Sequence, residues 1–320
     1  LNLVLLVVGA LVLIILPIFM SSFLIFQTTQ IMIYVIAIMG LNLLVGFSGQ
    51  LSLGHGAFFA VGAYSAGILM NSFEIHYSIA IVTAGLIAFI FGILFGIPAL
   101  RLEGHYLAMA TFALAVAMPQ IIKLSIFEDL TGGSQGMAIQ KPSLTIGSLS
   151  DDQLLYYITL ICTICLYWVA QNLIHSRTGR AWLAIKENAT SAKTMGINIA
   201  FYKTMAFGVS AAFNGIAGAL SAMAVQYIAP ESYTFYLSAA ILVGLVVGGV
   251  GWIAGAIWGA IFVLLIPNAA ETVSKELAGA MYGFFLIALV FFLPNGVSTL
   301  RDYFNFVGLK QTFNKKPLKE

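Results

Sequence analysis

Cys162 and Cys165 form a C-x-x-C pair, a spacing used for redox and metal chemistry. They sit inside the apolar run Leu154–Ala170, without the polar neighbours or access that either chemistry needs, and read as small packing hydrophobes. His55 could relay protons or could sit hydrogen-bonded in a core. A proton-coupled carrier needs an acid within a span, and Glu103, Glu231, Glu271 and Glu276 all fall at the ends of apolar runs. There is no G-x-x-x-x-G-K-[ST] phosphate loop, no metal-ligand spacing and no Ser/His/Asp set. The sequence therefore calls for no catalytic residue, no metal and no cofactor. It reads as a pathway whose energy comes from a partner.

What remains is binding without charge. Two glycine-rich stretches, Val45-Gly46-Phe47-Ser48-Gly49 and Val247-Gly248-Gly249-Val250-Gly251, repeat V-G-x-x-G after an apolar run in corresponding places of the two halves. Non-helical backbone at membrane depth survives only where it lines a cavity or is buried in protein. Paired interruptions of this kind point to a translocation path. Around the first, Asn42, Ser48, Gln50, Ser52 and His55, with Gly54, add neutral donors and acceptors. Freed helix ends there could hold both charges of a zwitterion. The competing reading is a turn whose glycines serve tight packing.

The elements that position these residues follow from composition. Of 320 residues, 61% are hydrophobic and 8% charged, against about 25% charged in soluble domains. No charge precedes Glu74. The fold expected is an all-α, polytopic transmembrane bundle of about eight to ten spans, some discontinuous. Apolar runs fall at 1–19, 30–45, 57–70, 78–100, 106–122, 154–170, 204–225, 237–251, 252–266 and 279–293, and residues 21–30 read as a short polar connection between the first two. Residues 1–306 are expected to form one transmembrane domain, the first run being a span and not a removed signal, and 307–320 a basic tail. Small-x-x-x-small ridges at Gly92/Gly96, Gly244/Gly248, Gly251/Gly255/Gly259 and Gly279/Gly283 let helices approach closely.

Arg177, Arg180, Lys186, Lys193 and Lys203 gather in one connection, with Glu187 its single acid. This loop and the tail lysines place both ends of the chain in the cytoplasm, and the acidic 123–152 connection outside. Within the loop, Ala181, Trp182, Ile185, Ala189, Ala192 and Met195 recur at helical spacing on one face. One short amphipathic helix, stopped at Gly196, is expected. It could seat a soluble partner, or it could be an ordinary positive-inside loop.

Five stretches then carry a resemblance: GLNLLVGFSGQLSLGHGAFFAVGAY (40–64), LRLEGHYLAMATFALA (100–115), LTGGSQGM (130–137), the 177–203 loop, and GGVGWIAGAIWGAI with FFLPNGV (248–261 and 291–297). In this order they resemble the permease subunits of branched-chain amino acid ABC importers, the LivM type. The resemblance implies a heteromeric importer in a bacterial plasma membrane. It would hold a second, related permease, two cytoplasmic ATPase subunits and an external substrate-binding protein. It makes the 177–203 loop a coupling helix, with Arg180, Ala184, Ile185, Lys186, Glu187, Asn188, Ala192 and Gly196 at the ATPase contact. Lys186 stands where the family usually has arginine. Thr131, Gly132, Gly133 and Gly136 would lie at an external gate or the binding-protein side, or simply form a tight turn. Urea and amide permeases share much of the pattern, and a self-sufficient channel or carrier is the rival class.

Overall fold

The computed structural model describes residues 16–17, 19–102, 104–142 and 150–273, with a few positions at 279, 283–284, 286–288, 291 and 296–299. The expected runs at 1–19 and 279–293, Glu103, Glu276 and the basic tail lie largely or wholly outside these residues. Helix α1 (Ser22–Asn42) continues through a wide turn at Leu43–Phe47. Helices α2 (His55–Asn71), α3 (Tyr77–Ala99), α4 (His105–Ile122) and the single turn α5 (Glu128–Thr131) follow. Next come α6 (Asp151–His175), α7 (Arg177–Glu187), α8 (Ala189–Thr194) and α9 (Ile199–Val225). The half-length α10 (Phe235–Gly248) turns back into α11 (Gly255–Val273). Strands β1 (Met137–Ala138) and β2 (Tyr227–Ile228) form a two-residue antiparallel pair.

Among the described residues, five helices are long and apolar enough to cross a membrane: α1 with its wide turn, α3, α4, α6 and α9. The shorter α10 and α11 are equally apolar. This is the all-α, multi-pass bundle that the composition demands, since in lipid each helix must satisfy its own backbone. At its centre α9 packs on α1, α2 and α3, burying Phe207, Ala211, Ala217, Leu220 and Met223. Small residues permit this approach. A methyl on Gly92 of α3 would lie 2.8 Å from the Phe207 carbonyl of α9.

The α10–α11 hairpin closes the same way, with Gly248 set on the Gly255 backbone and Gly259 on that of Gly244. The pairing runs across the two helices, and Gly251 belongs to neither. It lies in the turn with φ +84°.

Two expectations are corrected. Residues 21–30 are not a polar connection, because α1 begins at Ser22. The Thr28 and Thr29 hydroxyls bond back to carbonyls of the preceding turn, at 2.8–2.9 Å, so these polar residues ride on the helix without breaking it. The basic loop is not one helix but two, α7 and α8, broken at Asn188, whose extended backbone (φ −156°, ψ 103°) ends one and starts the other.

Candidate functional site: the junction of two broken stretches and the basic loop

The two glycine stretches meet. The wide turn after Asn42 carries its bonds one residue further than an α-helix, Ser48 N–H reaching the Leu43 carbonyl at 3.3 Å. That turn brings Gly46 against the second stretch, where a methyl on it would overlap the Asn42 carboxamide and lie 2.7 Å from the Gly251 nitrogen. Asn42, fully buried, locks the contact with both of its groups. Its Oδ1 accepts from Gly251 N–H at 2.8 Å and its Nδ2 donates to the Trp252 carbonyl at 3.0 Å. Neutral bonds of this kind are worth about 1 kcal/mol each, and more where solvent is excluded.

The rest of the first stretch is also hydrogen-bonded, mostly within the protein. Gln50 Nε2 donates to Ser48 Oγ at 2.6 Å and to the Lys203 carbonyl at 3.3 Å. His55 lies in a chain whose direction can be derived. Ser210 Oγ gives its one proton to the Gly40 carbonyl at 2.6 Å, so it must accept from His55 Nε2 at 2.6 Å. His55 Nδ1 then accepts from Ser52 Oγ at 3.0 Å, and Ser52 Oγ accepts from Gly54 N–H at 3.3 Å. Each member is satisfied with a neutral imidazole, which suits a pin joining α2 to α9 and α1. Gly54 fits closely on Thr111 of α4.

The basic loop is tied to this junction. Lys186 Nζ donates to the Gly46 carbonyl at 2.6 Å, and its methylenes cross Gly49, where a methyl would lie 2.9 Å from Lys186 Cγ. Between them lies a cavity of about 120 Å³, lined in part by Ser48, Gly49, Gln50, Ile185, Lys186 and Lys203. Side-chain caps fix the loop: Ser176 for α7 (3.1 Å to Thr178 N), Asn188 for α8 (2.9 Å to Ser191 N) and Asn198 for α9 (3.1 Å to Phe201 N). Trp182 is fully buried and donates to the Tyr202 carbonyl at 2.8 Å, and Arg180 bonds the His175 carbonyl at 2.9 Å.

The break at Asn188 changes which residues face out. Ala181, Trp182 and Ile185 are buried as their spacing predicts, and Ala192 is 2% exposed, folded against its own chain. Met195, assigned to the same apolar face, is instead 83% exposed, because the second helix does not continue the phase of the first. Glu187, Asn188, Lys193 and Gly196 are exposed. Gly196, at φ +82°, is the stop its type suggests.

The family is decided at this point. A model described as "branched-chain amino acid transport system / permease component" matches residues 23–293. The chain belongs to this family. The permease is 32% identical over 295 residues to the high-affinity branched-chain amino acid transport system permease protein LivM of Salmonella typhimurium and to that of Escherichia coli. Each alignment covers 84% of this chain and 68% of the relative. It is 22% identical over 156 residues to the probable branched-chain amino acid transport permease protein LivM of Methanocaldococcus jannaschii, covering 49% of this chain and 45% of that one. No solved structure matches the chain.

At the opposite end of the permease, Thr131-Gly132-Gly133 forms a tight turn. Buried Thr131 has its Oγ1 within 3.0 Å of the Ile122 carbonyl and accepts from Gly133 N–H at 3.2 Å. Gly132, Gly133 and Gly136 all take positive φ, and Gly136 lies directly on the Ile228 carbonyl of β2. Lys123 pairs with Glu231 at 2.6 Å and Lys141 with Asp152 at 2.6 Å. The hydrogen bond from Lys123 holds the Glu231 carboxyl below its ordinary range.

Three residues that work at the junction were missed: Ser210, Thr111 and Ser238. Ser238 Oγ accepts from Gly56 N–H at 2.8 Å, and Thr111 Oγ1 accepts from Leu53 N–H at 2.9 Å. Ser210 carried a legible signal, since it pairs with Asn214 one turn on in the apolar α9 of the permease, and Asn214 Nδ2 donates to the Ser210 carbonyl at 3.0 Å.

Proposed function

We propose that the permease forms half of the translocation path of an ATP-driven importer for branched-chain amino acids, in a bacterial plasma membrane with both termini in the cytoplasm. Its partners are a second, related permease, two cytoplasmic ATPase subunits that hydrolyse ATP, and an external binding protein. One observation carries this reading: the Lys186 ammonium on the Gly46 carbonyl joins the basic loop to the place where the two broken stretches meet. Movement of the loop is then movement of the path.

In this reading Asn42, Gly46 and Gly251 are the joint, with Gly248 and Gly249 closing the hairpin behind it. Ser48, Gly49 and Gln50 bound the inner mouth, and Ser52, Gly54 and His55 hold its wall. Ala184, Ile185 and Ala192 shape the platform from within. Arg180, Glu187, Asn188 and Gly196 present it to the ATPase, and Lys186 ties it to the joint. Thr131, Gly132, Gly133 and Gly136 shape the external face where the binding protein docks.

The test is reconstitution of the complex in proteoliposomes, with labelled leucine and labelled urea. ATP-dependent leucine uptake requiring the binding protein supports the reading. Urea uptake instead overturns the substrate, and transport by this chain alone, without ATPases, overturns the importer.

A further inference from the structure

A cavity of about 350 Å³ opens at the end of the bundle remote from the basic loop, between the first turns of α1, the last turns of α9, the turn Pro230–Tyr233 and helix α11. It holds many waters' worth of space, at roughly 30 Å³ each, and falls within the range of ligand pockets, about 300–1,000 Å³. Its polar wall is made by Gln27, Gln30, Tyr34, Ser221, Ser232 and Asn268. Its apolar wall includes Ile31, Phe59, Leu237 and Leu264. No charged side chain among the described residues lines it.

Gln27, Gln30 and Tyr34 recur at i, i+3 and i+7, one face of α1. Both glutamines are half-buried, and among the described residues neither carboxamide has a hydrogen-bond partner. Their neighbours Thr28 and Thr29 differ, since each returns its hydroxyl to the helix backbone. Both amides are therefore free to face a ligand, and two on one wall of a cavity suit a guest that both donates and accepts. The cavity is also braced before any guest arrives. Lys123 grips Glu231 at 2.6 Å beside Ser232, and Tyr233 packs on Phe59 and Tyr64 with ring centroids 6.1 and 5.9 Å apart.

We propose that this cavity is a transit site for a zwitterionic amino acid with an aliphatic side chain. Carboxamide oxygens and hydroxyls accept from its ammonium, while amide N–H and hydroxyl groups donate to its carboxylate. The side chain lies along Ile31, Leu237 and Leu264. Neutral donors hold a net-neutral guest without trapping it, and they leave a lysine or glutamate side-chain charge uncompensated. The proposal rests on the importer reading above and places the substrate in the outer half of the path.

The test uses the assembled complex in proteoliposomes, in a chain carrying Cys162→Ala and Cys165→Ala. Ser221→Cys should react with a charged, water-soluble methanethiosulfonate, and leucine should slow the reaction while lysine and glutamate should not. Gln30→Leu should lower leucine uptake roughly three- to ten-fold, the loss of one neutral hydrogen bond. Its ATP hydrolysis stimulated by the binding protein should stay normal, which shows that the variant folds and assembles. Absence of labelling, labelling indifferent to leucine, or wild-type uptake by Gln30→Leu would each overturn the site. Wild-type uptake separates this from the wider reading. No leucine import by the unaltered complex overturns the substrate and the site together, whereas normal import insensitive to these changes overturns the site alone.

Discussion

Removing the Lys186 ammonium should uncouple the permease without dismantling it. In Lys186→Met the aliphatic stem still covers Gly49, but the 2.6 Å bond to the Gly46 carbonyl is lost. A hydrogen bond from a charged donor is worth about 1.5–3 kcal/mol when protected. Lys186 is exposed overall, so water competes for its ammonium, and a value near 1.4 kcal/mol, about ten-fold, is the reasonable size. That loss falls on the link between loop and path, because Trp182 and the three side-chain caps still hold the loop in place. The assay is leucine imported per ATP hydrolysed by the purified, reconstituted complex. The expected outcome is normal ATPase co-purification, near-normal hydrolysis and about ten-fold less import per ATP. Lys186→Arg should recover only part of this, since a planar fork does not reproduce a point donor over Gly49. An unchanged ratio in Lys186→Met would refute the reasoning, and loss of ATPase binding would make Lys186 a docking residue instead.

Three further outcomes follow from the packing. Gly259→Val and Gly248→Val each put a side chain into facing helix backbone, so the α10–α11 hairpin cannot close; folded yield in detergent should collapse, a cost of roughly 3 kcal/mol or more. Ala192→Glu should disorder the loop, because at 2% exposure it buries a carboxylate inside this chain at a cost of several kcal/mol, while exposed Thr194→Glu should be mild; limited proteolysis of the loop separates them. Since Lys123 lowers the Glu231 pKa in the folded protein, their pair is at full strength above the ordinary carboxylate range and is lost as pH falls through the depressed value. Proteolysis at the Pro230–Tyr233 turn should therefore stay slow at neutral pH and rise only in acid, and Lys123→Met should remove that transition.

The helices were legible because apolar runs in lipid have one solution, and the two glycine stretches were legible as a pair by their shared spacing. That they touch was not, because the Asn42–Gly251 bond joins segments distant in the chain and depends on how α1 and the hairpin pack. Asn42, Gln50 and His55 were visible as donors and acceptors, and sequence alone could not say that their partners are Trp252, Lys203 and Ser210. Met195 was misplaced for a local reason: an unbroken helical phase was carried through Asn188, which breaks it. Gln27 and Gln30 were hidden by being read as connection, although Thr28 and Thr29 beside them show how polar residues remain helical at a span's end.

The claim that loop and path act as one unit is tested most directly by a double-mutant cycle between Lys186→Met and Asn42→Leu, read as leucine imported per ATP. The two side chains do not bond each other; they meet only through Gly46 and its contact with Gly251. If they serve one link, breaking it twice adds nothing, and the double mutant should import no less per ATP than the worse of the two singles. If the losses instead multiply, each residue acts on its own, and the account of a loop driving the path through Gly46 is contradicted.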